Sequence, residues 1–271
     1  MIGQVAVLNK YARICVFAVV VICGAALAGW LLGIPVLASI MPGWPRMARI
    51  VLFCFLLCSA AVLELASPPR RRSFLAVRII AASVVLAINA YALIGFAVAG
   101  VFSGAPPTGD IFGLWFGRPS PATAFNFLTA AVALMLPRDA RFGRLFSGLI
   151  TAGLIVTAFD CVGYAYGIAA LSRGPTISTM SLPTMSSFVL FYLSALLVRP
   201  GAGWTAVMFA RNSAGVTARR LFPIVLVFPF ILNAIVLVTH RAYPFEAPLG
   251  FAVLAVATSI GLGIVTIVIA D

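Results

Sequence analysis

Eight runs of apolar residues, separated by arginine clusters and by Pro/Gly-rich stretches, leave this chain few ways to fold in water. About 20 apolar residues of helix span a bilayer, and inside hydrocarbon every backbone N–H and C=O must find its partner within the protein. The runs fall at about 14–33, 47–66, 74–100, 122–137, 145–167, 184–199, 221–239 and 247–270. The fourth and sixth are short, so their helices are expected to extend into the Pro-bearing segments before them. Only 9% of the 271 residues are charged and 63% are hydrophobic, whereas a soluble domain carries roughly 25% charge. A mean hydropathy of +1.16 excludes a disordered chain, a coiled coil and a secreted disulfide scaffold. The expected fold is all-α, an integral membrane bundle of about eight transmembrane helices in tandem hairpins. Residues 1–13 read as a cytoplasmic N-terminal segment and 14–271 as a single polytopic transmembrane domain.

A net charge of +12 suits nucleic acid when it is spread over a soluble surface. Here the 18 Lys and Arg residues sit at the ends of apolar runs, so nucleic acid is not an expected partner. With the N-terminus placed inside, Lys10, Arg13, Arg78, Arg138, Arg199, Arg219 and Arg220 are among the residues at inner ends. Only Arg46, Arg49, Arg118, Arg173 and Arg241 fall outside. The positive-inside rule then sets both termini in the cytoplasm of a multi-pass protein of the bacterial inner membrane, with anionic lipid favoured at the basic face. Ala26-Leu27-Ala28 offers a signal-peptidase site, but the apolar run continues through Trp30, Leu31 and Leu32, which favours a retained helix.

Three segments repeat: MPGWPRMARIVLFCFLLCSAAVLEL, RPSPATAFNFLTAAVALMLPR and MSLPTMSSFVLFYLSALLVRP. Aligning Ser120-Pro121-Ala122-Thr123 with Ser181-Leu182-Pro183-Thr184 brings Phe127 over Phe188 and Arg138 over Arg199, with Phe55 matching in the first copy. Each copy begins at a Pro-bearing outer loop and runs inward. The outward helices carry Asn89, Asp160 and Asn233 at similar depth. A polar group in hydrocarbon normally faces the bundle interior and a partner. These three form the candidate polar belt, open to two readings, ligand contact or interhelical hydrogen bonding.

On GWLLGIPVLASIMPGWPRM (29–47), SPATAFNFL (120–128), MSLPTMSSF (180–188) and RPGAGWTAVMFARNSAGVTARRLFPIVL (199–226), the chain resembles the multi-spanning N-terminal sensory region of bacterial membrane histidine kinases and related signalling proteins. In that family the region is followed by PAS, kinase or cyclase modules. None lies within these residues, so the resemblance implies action through a partner kinase or cyclase chain.

The other polar and reactive groups read more plainly. Cys15, Cys23, Cys54, Cys58 and Cys161 lie inside apolar runs with no supporting His or carboxylate, so they read as small core residues, and no metal or cofactor is expected. Glu64 and Arg78 flank a Pro/Arg turn and suit an interfacial ion pair or a gating pair. His240, the only histidine, stands near Tyr243, and Trp115 lies in the long outer loop 101–121. These three are the candidate outer-face cap, with that loop as a lid for an apolar ligand. Ala25, Gly29 and Gly33 place small residues every fourth position, as helix packing within one chain or in a homodimer requires. With no phosphate-cradling loop and no nucleophile–base or metal set, the expectation is not an enzyme. A sensory module recognising a small or lipid-like ligand is favoured. A small-molecule transporter and a structural or assembly protein are the alternatives.

Overall fold

The computed structural model describes residues 2–40, 44–67, 72–98, 117–166, 180–210, 212–242 and 258, and every regular element among them is helical. In chain order these are α1 (Ile2–Leu31), α2 (Pro35–Ser39), α3 (Arg49–Leu65), α4 (Arg72–Val98), α5 (Pro121–Met135), a 3-10 turn at Ala140–Phe142, α6 (Gly143–Tyr166), α7 (Leu182–Val198), α8 (Trp204–Phe209) and α9 (Ser213–Ala242). Among the described residues, three stretches are long and apolar enough to cross a membrane: Ala6–Leu31, Leu75–Ala97 and Ala140–Cys161. Their outward side chains are apolar too, with Phe17 70%, Ile80 63%, Ile94 62% and Ile155 64% exposed. In water such faces would be aggregation sites; against lipid they are at home. The expected eighth run, 247–270, lies outside the described residues except for Thr258.

Helix boundaries add detail to the sequence reading in two places. Helix α1 starts at Ile2, so the helix of the first apolar run continues back through Lys10 and Arg13. Nothing between Ile2 and Leu31 breaks a helix except the tolerated Gly3, Gly24 and Gly29, and the long stems of Lys10 and Arg13 can lie along its surface. The helix ends at Leu31, and two residues on Gly33 turns the chain with a φ of +69°, the left-handed conformation that glycine adopts at least cost. Helices α5 and α7 reach back into the Pro-bearing segments before their apolar runs, as expected, starting at Pro121 and at Leu182. Ser120 and Ser181 sit at their N-caps with extended backbones, and a proline follows in the first two helical positions of each. Ser120 meets the Thr123 hydroxyl at 2.9 Å and Ser181 meets Thr184 at 2.8 Å. The N-cap of α3 is Ala48, in the same register but with no hydroxyl to offer.

Residues 1–203 and 204–271 form two compact units, where the sequence reads as one domain over 14–271. In the first unit, α3, α5 and α7 pack against one another at the centre. Helix α1 fits between α3 and α7, α4 between α3 and α5, and α6 between α5 and α7. The result is an approximate threefold bundle of three hairpins. At its axis Phe55, Phe127 and Phe188 meet with ring centroids 4.8, 4.7 and 4.7 Å apart and planes inclined by 64°, 59° and 57°. All three are buried. Inclined contacts of this kind add about 0.5–1.5 kcal/mol per pair beyond burial.

In the second unit, Asn212 Oδ1 accepts from the Gly215 N–H at 3.0 Å to cap α9. Arg219 donates to Met208 O and Ala210 O at the end of α8, and Trp204 stacks on Phe222.

Candidate functional site

One turn of inner helix beside the three rings holds the most connected polar cluster among the described residues. Asn126, immediately before Phe127, is fully buried. Its Nδ2 donates to Thr157 Oγ1 on α6 at 3.1 Å and to Met180 Sδ at 3.7 Å. The Tyr192 hydroxyl of α7 lies 2.9 Å from Asn126 O and 3.2 Å from Asn126 Oδ1, sharing its proton between them. Thr129 Oγ1 donates to Asn126 O and stands 3.2 Å from the Tyr192 hydroxyl, while Thr157 passes its own proton to Gly153 O at 2.9 Å. Each polar atom of the Asn126 amide is thereby used. Tyr192 reaches this position because residue 153 is glycine: a Cβ there would overlap the Tyr192 hydroxyl and ring. The cluster is neutral, with donors and acceptors but no base beside a nucleophile.

The residue before each axial phenylalanine is the equivalent position in the other two hairpins, and both are buried, as Cys54 and Ser187. Cys54 receives the Nδ2 of Asn89 at 3.6 Å, and Asn89 also donates to Val85 O at 2.8 Å in its own helix. Asn89 Oδ1 and Ser187 Oγ are buried with no hydrogen-bond partner among the described residues. By partner, the α6 counterpart of Asn89 is therefore Thr157.

Asp160 lies about one turn further along α6, buried, where Oδ2 accepts the Met180 N–H at 3.0 Å. Met180 precedes the α7 cap, and the repeat explains its need. The matching Met47 N–H is taken by Ala38 O at 2.9 Å, and the matching Pro119 has no N–H. Asn89 and Asp160 thus serve different helices through different partners.

Asn233 and His240 fall within α9, and their side chains lie outside the described residues, as do Trp115, Tyr243 and most of the loop 101–121. Trp30 caps the opposite region, donating from Nε1 to Met47 O at 2.8 Å with Arg49 4.6 Å above its ring. At the arginine-bearing end Arg78 Nε stands 3.5 Å from Glu64 Oε2, both largely buried, as the expected interfacial pair requires. The five cysteines are unpaired, and no three His, Cys, Asp or Glu side chains among the described residues converge on a metal site.

Asn126, Thr157 and Tyr192 were not singled out from sequence. The signal was the position before Phe55, Phe127 and Phe188, where the repeat places Cys, Asn and Ser instead of another aliphatic residue. Comparison of the chain with protein-family models, with curated proteins and with solved structures finds no match.

Proposed function

We propose that this chain is a membrane-embedded sensory module of eight spans with cytoplasmic termini, which recognises a small or lipid-like ligand and passes the change to a partner chain without catalysis of its own. The observation that carries the reading is the axis closed by Phe55, Phe127 and Phe188, with buried polar atoms in the seams around it that have no hydrogen-bond partner among the described residues. A closed axis disfavours conduction between the inner helices. Polar atoms held unpaired beside it are groups that a ligand or a helix shift can satisfy, since an unmade buried hydrogen bond costs about 1–3 kcal/mol. The parallel hairpin repeat, unlike the inverted repeats of many transporters, supports the same side.

Reconstitution into vesicles tests it. Small amphiphiles screened by thermal stability should include one that stabilises the wild type and loses that effect in Asn89→Leu, with no accumulation of the same tracer inside the vesicles. Concentrative uptake would instead assign a transporter. Reporters after Asp271 and between Arg199 and Arg220 should be cytoplasmic and one at Gly109 external; an external Asp271 reporter sinks the eight-span topology.

A further inference from the structure

A groove of about 1150 Å³ opens at the arginine-bearing end of the first unit, between the start of α1 and the ends of α3, α5 and α7. Lys10, Arg13, Arg138 and Arg199 line it, with Asp139 the one carboxylate among its lining residues. That carboxylate faces Arg141, 3.4 Å away. The arginines are tethered by their Nη2 atoms to carbonyls at or just beyond helix ends: Arg13 to Ala66 O at 3.2 Å, Arg138 to Leu65 O at 2.8 Å and Arg199 to Pro137 O at 2.8 Å. A guanidinium carries five N–H donors, so most remain for another acceptor. Arg199 Nη1 is buried and has no hydrogen-bond partner among the described residues.

Helix α1 adds a direction. Lys10, Arg13, Ile14 and Phe17 recur at the three- and four-residue spacing of one helix face. All four line the groove, which passes from cationic to apolar along α1, where Ile14 and Phe17 are 52% and 70% exposed. We infer that the groove binds an anionic phospholipid, its phosphate on Arg138, Arg199 and Lys10 and its acyl chain along Ile14 and Phe17. A zwitterionic lipid would bring a cation into a site that already holds four.

The full chain in detergent, probed with phosphatidylglycerol, phosphatidylcholine and inorganic pyrophosphate by native mass spectrometry, tests this. Phosphatidylglycerol should bind about tenfold or more tighter than phosphatidylcholine, and Lys10→Gln and Arg138→Gln should each weaken it about fivefold, the scale of one basic residue at an anionic membrane surface. Lys10→Gln breaks none of the carbonyl tethers, so it decides the matter if Arg138→Gln does not fold. Phe17→Ser should weaken lipid but not pyrophosphate. Arg46→Gln, which removes equal charge near Trp30, should change nothing. Equal binding of the two lipids, or undiminished phosphatidylglycerol binding in Lys10→Gln, overturns the site. Displacement of the lipid by pyrophosphate, with Phe17→Ser inert, assigns the groove to a soluble phosphate and overturns the lipid assignment.

Discussion

The seam between α5 and α6 and the seam between α3 and α4 occupy equivalent places around the axial rings, yet they are finished differently. In the first, Asn126 spends both amide hydrogens and its oxygen, on Thr157, Met180 and Tyr192. In the second, Asn89 has only a sulfur and a carbonyl for its hydrogens, and its Oδ1 has no partner among the described residues. One amide is locked into three helices; the other is held by one end. A duplicated scaffold therefore does not make duplicated seams, because one residue change on the inner helix, Asn126 for Cys54, alters what the neighbouring helix can bond.

What the seams share should matter most. Phe127→Ala opens a cavity bounded by the other two rings, and in the range of buried Phe→Ala changes it should cost about 3–5 kcal/mol by unfolding in mixed micelles. A loss under about 1 kcal/mol would mean that the bundle does not depend on its axis.

The next effect separates two glycines of α6. Gly153→Ala drives a methyl group into Tyr192, whereas a Cβ at Gly148 meets nothing within 4 Å. Overpacking should cost about 1–3 kcal/mol at Gly153, while Gly148→Ala should be neutral or gain up to about 1 kcal/mol of helix propensity. If both glycines tolerate alanine alike, Tyr192 does not lie against α6.

The third compares the amides directly. Asn126→Leu strands the Tyr192 and Thr157 hydroxyls and should cost about 1–2 kcal/mol, near the upper limit of interhelical bonds measured in membranes. Asn89→Leu removes a weak bond to sulfur, a bond to a carbonyl of its own helix and an acceptor with no partner among the described residues, and should fall within about 0.5 kcal/mol of wild type. Equal costs would end the comparison drawn above.

The smallest effect concerns Asp160. Asp160→Asn keeps an oxygen for the Met180 N–H and should change stability by less than about 0.5 kcal/mol, whereas Asp160→Leu orphans that N–H and should cost about 1 kcal/mol or more. An Asn variant as damaged as the Leu variant would show that the charge itself is needed, a role beyond satisfying one backbone donor.

The hairpin plan was legible in the sequence because it rests on a strict register: Phe55, Phe127 and Phe188 were aligned by their neighbours and are the residues that touch. The basic helix ends were legible for the same reason, since Arg138 reaches the last carbonyl of α3 and Arg199 a carbonyl just past α5. Depth counting did less well for the polar residues. It paired Asn89 with Asp160, but a helix advances 100° per residue, so a difference of three positions chooses a partner about a turn away, and Thr157 proved the counterpart. Asn126 and Tyr192 escaped because each looked ordinary within its own segment; only their convergence from α5 and α7 gives them a role.

The three rings at the axis also have a mechanical meaning. Each ring fills the space into which its neighbours would turn, at centroid separations of 4.7 to 4.8 Å. An inner helix that rotates about its own length must push both other rings aside or carry them along. The hairpins are therefore meshed like gear teeth, and a twist applied to any one of them, from whichever end it arrives, is felt by all three.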